Sequence, residues 1–498
     1  MHEIELTLQV PAGRGAAVDA AVAGKLPAAR LRLQAAYHDT PERALAAAGL
    51  ALRLRREGRQ WVQTLKGAGD DGLTRAEHNM PRGGGAAMPA IEPALHADTA
   101  VGDRLLALLG ASPNLQILYR TDIRRRTRAL AVRAPGGPAA RVELAFDTGH
   151  IVAGAAAIEV CELEIELLAG TPLAVIDTAR RWLPRFGLWL DTRSKAERGD
   201  LLARGEAVAA PRLATTLRLD AALDASAAWQ VVLRHCADQI LANASQIASG
   251  EHGPEHVHQL RVGLRRLRSA IALFEHDDAA LAGGAAALFR ALGAARDSVV
   301  IDAEFGAALA EAMRGAGLAL GAAPAAAPPA ELPAARLREG ATQAFLLDLL
   351  AAMHAEPAAE ADPATGAPPL RDLLAARLNR WHRKIVADAK RYAALDDAAR
   401  HRLRKRAKRL RYATEFCAAL FGKREVRRYL KALQALQTRL GAVSDVLVAI
   451  TAFAPRAPAD AHAVFALGWL AARREALIAA AAPELKAFAK VERFWKHT

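Results

Sequence analysis

The sequence begins MHEIELTLQV, residues 1–10, and its polar residues alternate with apolar ones. Ile4 lies between Glu3 and Glu5, and Leu6 follows Glu5. This period of two is typical of a β-strand with one polar face. On such a strand the two carboxylates lie about 7 Å apart on the same side. Taken alone, the pattern fits a solvated face that carries two acids by chance. The alternative is a pair of metal ligands inside a polar cavity.

The composition favours several domains in which helices are prominent. A chain of 498 residues is too long for one ordinary hydrophobic core, so we expect two or three domains. Hydrophobic residues account for 52% of the chain, with alanine dominant, and aromatic residues for only 5%. This balance favours helices packed through small side chains over a large sandwich with an aromatic core.

The charge balance points to a polyanionic partner. Lys and Arg number 67 against 53 Asp and Glu, a formal net charge of +14. An excess of this size is typical of proteins that bind nucleic acid, anionic lipid or a phosphate polymer.

Cysteine usage and hydropathy predict a cytoplasmic protein. The three cysteines, Cys161, Cys236 and Cys417, have neither metal-ligand spacing nor the density of a disulfide framework, which favours a reducing compartment. The charged strand at the start leaves no room for a signal peptide. No continuous apolar run reaches the roughly 20 residues that span a bilayer, so we expect no membrane segment.

The two halves of the chain follow different patterns. Short alternating runs predict strands with intervening helices over residues 1–203, and patterns with a period of 3.6 predict long helices over residues 219–498. Residues 204–218 are the predicted linker. The Pro/Ala-rich stretches 321–335 and 355–369 cannot be continuous helix and are predicted loops.

The second half also repeats itself. HQLRVGLRRLR begins at His258 and HRLRKRAKRLR begins at His401, 143 residues later. LGAARD ends at Asp297 and LGAVSD ends at Asp445, 148 residues later. Two matching elements in the same order at nearly the same separation indicate a duplicated unit, and we predict two helical bundles related by an approximate two-fold axis.

Charged faces recur on the other predicted strands of the first half. The residues that alternate with apolar positions are Arg53 and Arg55, then Lys66, then Glu143 and Asp147, then Glu162, Glu164 and Glu166. One such strand would be solvated surface, but five that mix dense acids with dense bases are difficult to explain in that way. A closed or nearly closed barrel accounts for them, because helices can cover its apolar outer faces while the charged faces line a tunnel.

The two kinds of charge in such a tunnel would have different ligands. Carboxylates bind hard divalent cations through oxygen. Arginine and lysine bind phosphate oxygens, and arginine can do so with two parallel hydrogen bonds. The combination therefore suits a complex of a metal with a triphosphate.

Seven segments occur in order over about the first 200 residues: EIELTL, YHDTPERALAAAGLALRLRREG, WVQTLKG, TRAE, VELAFDTG, CELEIEL and TRSKAERG. Together they resemble the CYTH domain, the triphosphate tunnel metalloenzyme fold, here of the inorganic triphosphatase type. The resemblance implies an eight-stranded antiparallel tunnel that hydrolyses triphosphate compounds with Mg²⁺ or Mn²⁺.

The resemblance also implies roles for individual residues. Metal binding would fall to Glu3, Glu5, Asp147, Glu162 and Glu164, with Glu166 as a substitute for Glu162. Phosphate binding would fall to Arg53, Arg55, Lys66, Arg125 and Lys195. The residues implied in catalysis are Glu3, Glu5, Lys66 and Glu143. Arg75 and Glu77 match a further family pair to which we assign no role.

Thr7 departs from the family signature, which is Glu-x-Glu-x-Lys. A hydroxyl can donate one hydrogen bond to a phosphate oxygen but brings no positive charge, and a charge-assisted bond is about twice as strong as a neutral one. We therefore expect weaker affinity or turnover unless other basic residues compensate. The alternative is a tunnel that has lost catalysis.

Two predicted helices carry basic stripes. At 100° per residue, one narrow sector of the first helix holds His258, Arg261, Arg265 and Arg268. The corresponding sector of the second helix holds His401, Arg404, Lys408 and Arg411. Apolar residues occupy the opposite side of each helix. Such a stripe is usually solvated surface, but its duplication at the same spacing favours a shared basic groove.

The segments HVHQLRVGLRRLRSAIALF, LGAARD, HRLRKRAKRLRYATEF and LKALQALQTRLGAVSD resemble the CHAD domain, the conserved-histidine α-helical domain, over roughly residues 221 to 490. The resemblance implies two four-helix bundles whose central basic surface binds inorganic polyphosphate. The order of CYTH followed by CHAD is a familiar arrangement.

We therefore expect a cytoplasmic inorganic triphosphatase that also binds long-chain polyphosphate, with association with polyphosphate granules as a further hypothesis. Water would attack the terminal phosphorus in line while metal and basic side chains neutralise the chain. The alternative is a polyphosphate-binding protein without turnover. Nucleic-acid binding is disfavoured because Tyr412 is the lone aromatic ring within the second basic motif. The sequence identifies no protein partner.

Overall fold

The computed structural model describes residues 2–25, 28–68, 73–110, 114–133, 139–293, 305–318, 332–355 and 368–496. The chain divides into two compact units. The first comprises Met1–Leu213, Ala237–Leu260 and Pro333–Glu356, and the second comprises Ala214–Cys236, Arg261–Leu332 and Pro357–Thr498.

The first unit is built on a closed antiparallel barrel of eight strands. The strands are β1 His2–Gln9, β2 Ala29–Asp39, β3 Leu50–Glu57, β4 Gln60–Ala68, β5 Thr74–Gly84, β6 Gln116–Arg133, β7 Ala139–Ala153 and β8 Ala156–Ala169. Their order is β5-β4-β3-β2-β6-β7-β8-β1, and pairing of β5 with β1 closes the barrel. A two-residue strand, β9 Trp189–Leu190, adds to β1. The predicted eight-stranded tunnel is thus confirmed.

Helices cover the apolar outer faces of the strands. They are α1 Gly15–Ala23, α2 Ala44–Ala47, α3 Ala100–Leu109 and α4 Pro172–Phe186, whereas α5 Lys195–Ala203 lies against the inner side of the barrel. On β1, Leu6 and Leu8 are at most 2% exposed, and α4 packs against this strand with Val175 and Ile176 buried. Burial of each such side chain stabilises the unit by about 1.5–3 kcal/mol. The alternation of β1 therefore directs Glu3 and its polar neighbours to the inside.

Parts of the helical half of the sequence also belong to the first unit. They come from α6 Ala225–Ser249 and α7 Pro254–Phe274, and include α10 Pro333–Arg338 and α11 Gly340–Met353. The fully buried Gln343 on α11 accepts a hydrogen bond from the Leu190 backbone at 2.7 Å. Residues 204–218 contain neither helix nor strand. The predicted domain boundaries at 203 and 219 stay a prediction.

The second unit is helical, as predicted. Besides its parts of α6 and α7 it contains α8 Ala279–Ala291, α9 Ala307–Gly315, α12 Leu370–Lys390, α13 Asp397–Cys417, α14 Lys423–Phe453, α15 Ala461–Ala480 and α16 Ala482–Lys490. The approximate two-fold axis stays a prediction. Asp297, which ends the first LGAARD copy, lies outside the described residues, as do most positions of the two Pro/Ala-rich stretches.

The segment Lys423–Arg456, which contains α14, is long and apolar enough to cross a membrane by length and composition, with a mean hydropathy of 1.3 over its most apolar window. Tyr429, Leu433 and Leu440 of α14 are buried within the second unit. The buried face of a core helix accounts for such an apolar character without a membrane.

Candidate active site

The first unit contains a cavity of about 770 Å³ that is lined by the barrel strands and also by residues of the 204–212 segment and of α6. The charged residues that line it come from β1, β3, β4, β5, β6, β7, β8 and α5. They include Glu3, Glu5, Arg53, Arg55, Lys66, Arg75, Arg125, Asp147, Glu162, Glu164 and Lys195. The highly charged faces of these strands therefore converge on one interior. Glu143 is not among the lining residues.

The register of three neighbouring strands explains why acids concentrate on one wall. Across β7, β8 and β1 the paired residues form three rows: Asp147, Glu162 and Gln9; Ala145, Glu164 and Thr7; Glu143, Glu166 and Glu5. Directly opposed side chains on adjacent strands have Cβ atoms about 5 Å apart. Carboxylates that are far apart in sequence thus become close neighbours.

Three of these carboxylates form a tight group. Oxygen atoms of Asp147, Glu162 and Glu164 all lie within 4.8 Å of one another. Lys195 of α5 neutralises the group, with Nζ 2.8 Å from Asp147 and 2.6 Å from Glu164 and an ion pair to Glu162. Arg125 donates two hydrogen bonds of 2.7 Å to Asp147 and also pairs with Glu164.

The ion pairs keep this wall ionised despite its burial. Burial alone raises the pKa of Glu164, but Arg125 and Lys195 outweigh it and hold the pKa well below the ordinary value. Burial likewise opposes ionisation of Glu162, and Arg198 with Lys195 lowers its pKa. Both groups therefore carry negative charge at neutral pH.

Glu3 and Glu5 lie outside that tight group and have their own cations. Lys66 pairs with Glu3 and lies 2.7 Å from Glu77, and Arg75 lies 2.8 Å from Glu5. Burial raises the pKa of Glu3 to about 8, against the attraction of Lys66 and with support from a hydrogen bond to Glu77. The pKa of Glu77 is lowered because the hydrogen bond with Glu3 and the charge of Lys66 outweigh its burial. One proton is thus held on Glu3 beside an ionised Glu77.

Basic side chains form the other pole of the cavity. Arg53 donates a 3.1 Å hydrogen bond to the Tyr37 hydroxyl, and Arg55 donates one of 2.7 Å to Glu57. Burial and the neighbouring Arg53 and Arg125 lower the pKa of Arg55, against the attraction of Glu57. A pKa lowered by other cations indicates a positive potential that an anion would relieve.

The donor set of the acidic wall fits a divalent metal. Carboxylate oxygens are the ligands that Mg²⁺ and Mn²⁺ prefer, and the residues of the tight group lie close together and line the cavity. Among the described residues it is the one group of three metal-ligating side chains at such distances. Glu162, rather than Glu166, is its third member.

The structure adds residues to which the sequence assigned no role. Arg198 pairs with Glu162, and Tyr37 stacks on Tyr119 with ring centroids 4.6 Å apart at the wall of the cavity. A signal for Arg198 was present in the segment TRSKAERG, because a residue three positions after Lys195 on a helix shares its face. Arg75 could not be assigned without knowing that β5 pairs with β1.

Thr7 lies in the acidic wall, and 9% of its surface is exposed. Its neighbour in register is Glu164, whose carboxylate already pairs with Arg125 and Lys195. Positive charge therefore reaches this part of the wall from β6 and α5, although β1 supplies none.

In the second unit the basic stripes are only partly available to a ligand. Arg261 is buried and donates a 3.0 Å hydrogen bond to the Phe289 carbonyl. Arg404 donates to Asp445 at 3.2 Å, and Arg411 pairs with Glu415 at 3.3 Å. Three stripe residues are half-buried: Lys408, Arg265 and His258. His258 lies in the part of α7 that belongs to the first unit. Arg268 and His401 are exposed.

The helical wheel missed the more exposed cations of α13. Arg402, Lys405, Arg406 and Arg409 are all exposed. Burial and the charges of Arg268 and Arg406 lower the pKa of Arg409, so Arg268 of α7 lies near the exposed side of α13. Arg268 and Arg409, one residue from each repeated basic motif, therefore lie close enough for their charges to interact.

Comparison with known proteins gives two family matches. The model of the CYTH domain matches residues 1–199, and that of the CHAD domain matches residues 231–454. An inorganic triphosphatase of Haemophilus influenzae is 28% identical over 173 residues, which cover 33% of this chain and 44% of that protein. The match therefore spans less than half the length of this relative.

Solved structures resemble each part. The CHAD domain of the plant Ricinus communis is 31% identical, with a TM-score of 0.45, and the match covers 56% of this chain and 97% of that one. A putative adenylyl cyclase of Hippeastrum, described as having a dominant triphosphatase activity, is 17% identical, with a TM-score of 0.29, over 41% of this chain and 97% of that one.

Proposed function

We propose that the first unit hydrolyses inorganic triphosphate with a divalent metal. The premise is that this chain belongs to the proteins in which a CYTH domain precedes a CHAD domain. The observation that carries the proposal is the cavity of the barrel, which is lined by both carboxylates and basic side chains. Asp147 paired with Lys195 and Arg125 is the centre of that arrangement.

Exchange of ion pairs explains how such a cavity would receive its substrate. Buried charges are costly, and each loses several kcal/mol of hydration when no partner replaces water. In this cavity the barrel has already desolvated both sets of charge. A metal–triphosphate complex would give the carboxylates a new cation and the basic side chains a new anion, so that the total charge pairing is conserved.

The residues would divide the work as follows. Mg²⁺ or Mn²⁺ would be held by five carboxylates: Asp147, Glu162 and Glu164, with Glu3 and Glu5 from β1. Phosphate oxygens would be bound by Arg53, Arg55, Lys66, Arg125 and Lys195. Glu143, a further carboxylate on β7, stays a proposed catalytic residue. A bound divalent metal supplies charge stabilisation at phosphoryl oxygens and lowers the pKa of water. No nucleophilic side chain is required, because positioning and charge neutralisation account for most catalysis of phosphoryl transfer.

We further propose that the helical region binds long-chain polyphosphate. The support is the exposed cations of α13 together with Arg268 and His401. A polymer with a negative charge on each unit would bind through many weak contacts and release of counterions, as a nucleic-acid backbone does. We expect this protein to work in the cytoplasm, where association with polyphosphate granules would follow from the same contacts.

Thr7 supports a second candidate function, a polyphosphate-binding protein whose tunnel has lost turnover. Measuring phosphate release from tripolyphosphate, with and without Mg²⁺ or Mn²⁺, decides between the two. We expect metal-dependent release by the parent protein and a loss of at least about a hundredfold in Glu5→Gln, because a residue at the metal is removed. Glu42→Gln, at an exposed turn, is the matched control. Tripolyphosphate binding without release in the parent would favour the second candidate.

A further inference from the structure

The outer face of the barrel carries a ladder of arginines that the tunnel does not use. On β2 and β6 the side chains opposite the cavity include Arg30 and Arg32, then Arg120, Arg124, Arg126 and Arg128, with Asp122 between Arg120 and Arg124. The antiparallel register places Arg30 directly against Arg126 and Arg32 directly against Arg124. Like charges in directly opposed positions destabilise a sheet. Asp19 and Asp122 each neutralise one arginine of the two pairs, and the other arginine of each pair would be stabilised by an added anion.

Four of these arginines line a groove between β2, β6 and the segment that leads into α1. Its volume is about 1030 Å³, and its walls include Arg30, Arg32, Arg124 and Arg126 with two acids, Asp19 and Glu159. The groove adjoins the cavity at Arg125, which lines both, but alternation sends the Arg125 side chain inward to Asp147 while its two neighbours on β6 face outward.

Half of the ladder is held in place by the protein and half is open. Arg126 pairs with Asp19, and Arg32 donates hydrogen bonds of 2.9 and 2.6 Å to Asp122. Arg30 and Arg124 are exposed, and no hydrogen bond or ion pair joins either one to another residue within the described part of the chain. The paired arginines fix the geometry, and the open pair remains available for a ligand.

The spacing and lining identify the class of ligand. Successive arginines on one strand lie about 7 Å apart, and the two strands run side by side about 5 Å apart, so the cations form two short parallel rows. Arginine binds phosphate oxygens through two hydrogen bonds. Phe146, the aromatic residue of the groove, is 4% exposed and therefore offers no surface for base stacking. We propose that this groove is an accessory binding site for linear inorganic polyphosphate.

This site does not depend on hydrolysis in the tunnel, and its test separates the two. The full-length chain would carry Arg265→Glu and Lys408→Glu throughout, to weaken binding by the helical region. Three proteins are compared: this background alone, the background with Arg30→Glu and Arg124→Glu (the groove reversal), and the background with Arg59→Glu and Arg133→Glu. Each is titrated with labelled long-chain polyphosphate at several salt concentrations. The last pair is a matched control, since both residues are exposed and lie outside the groove.

We expect the groove reversal to reduce affinity by about tenfold or more and to lower the slope of log affinity against log salt by about two, while the control changes neither. Equal affinity for the groove reversal and the control would overturn the proposal. The proposal would also be overturned if poly-dT bound as tightly as polyphosphate and lost as much affinity in the groove reversal. Circular dichroism checks folding, and Arg30→Gln with Arg124→Gln would replace a reversal that fails to fold, with a smaller loss expected. Phosphate release from tripolyphosphate should be unchanged by the groove reversal.

Discussion

The Nζ atom of Lys195 lies 2.8 Å from Oδ2 of Asp147, whose side chain has no exposure to solvent. The same ammonium contacts Glu162 and Glu164, so one internal cation neutralises the three carboxylates that are best placed for a metal. Lys195 and a divalent metal would therefore compete for the same oxygens.

Replacing Lys195 tests that competition. We expect Lys195→Met to destabilise the metal-free protein by about 3–5 kcal/mol, because buried carboxylates lose a partner. Added Mn²⁺ should then raise the melting temperature more in the variant than in the parent, since the metal now replaces a missing charge. Differential scanning calorimetry with and without Mn²⁺ measures both effects, and Lys25→Met, at an exposed position, is the control. An equal shift by Mn²⁺ in parent and variant would place the metal elsewhere.

Thr7→Lys should raise turnover or lower KM for tripolyphosphate, because it restores the cation that the family signature has on β1. Arg53→Ala should reduce kcat/KM more than Thr7→Ala does, since it removes a full charge rather than a hydroxyl. Steady-state phosphate release measures all three variants. Abolished activity in Thr7→Lys would mean that the wall around Glu164, already paired with Arg125 and Lys195, has no place for a further cation.

The raised pKa of Glu3 predicts a specific dependence of stability on pH. Its pKa is 4.5 in the unfolded chain and about 8 in the barrel, so between these values the folded state holds a proton that the unfolded state has released. The stability from this group is fully present below 4.5 and is lost as the pH rises through about 8. The pKa values of three other carboxyls are lowered in the barrel: Glu77, Glu162 and Glu164. The stability that these groups contribute is lost only as the pH falls below 4.5.

Urea unfolding of the metal-free parent and of Glu3→Gln across that interval measures the effect. The free energy of unfolding of the parent should fall relative to that of the variant as the pH rises, because glutamine has no proton to lose. Parallel pH profiles for the two proteins would show that Glu3 is already ionised in the folded state.

In the helical region, the double reversal Arg265→Glu with Lys408→Glu should weaken binding of long-chain polyphosphate more than either single reversal, if both repeats contribute to one basic surface as we propose. Affinity should also fall steeply with salt and exceed that for poly-dT. Arg234→Glu, on the exposed part of α6, should have little effect. Titration of the full-length protein with labelled polyphosphate measures each variant. Equal affinity of the double reversal and the parent would leave these helices as solvated surface.

The charged faces of the strands could be predicted from the sequence because alternation is a local property. Once the backbone of β1 is extended, Glu3 and Glu5 must share a side, and apolar Leu6 must face the covering helices. The same local rule, with a period of 3.6, predicted the helical second half. The segment-by-segment resemblance then supplied the closed tunnel, which the pairing of β5 with β1 confirms.

Tertiary structure alone decided which charges meet. The grouping of Asp147 with Glu162 and Glu164, and the pairing of Arg75 with Glu5, depend on strand register, which joins residues that are distant in the chain. The helical wheel likewise identified a basic side of α13, but neighbouring helices determine which cations remain exposed. A sequence pattern fixes the direction of a side chain relative to its own element, whereas its partner is set by the packing of other elements around it.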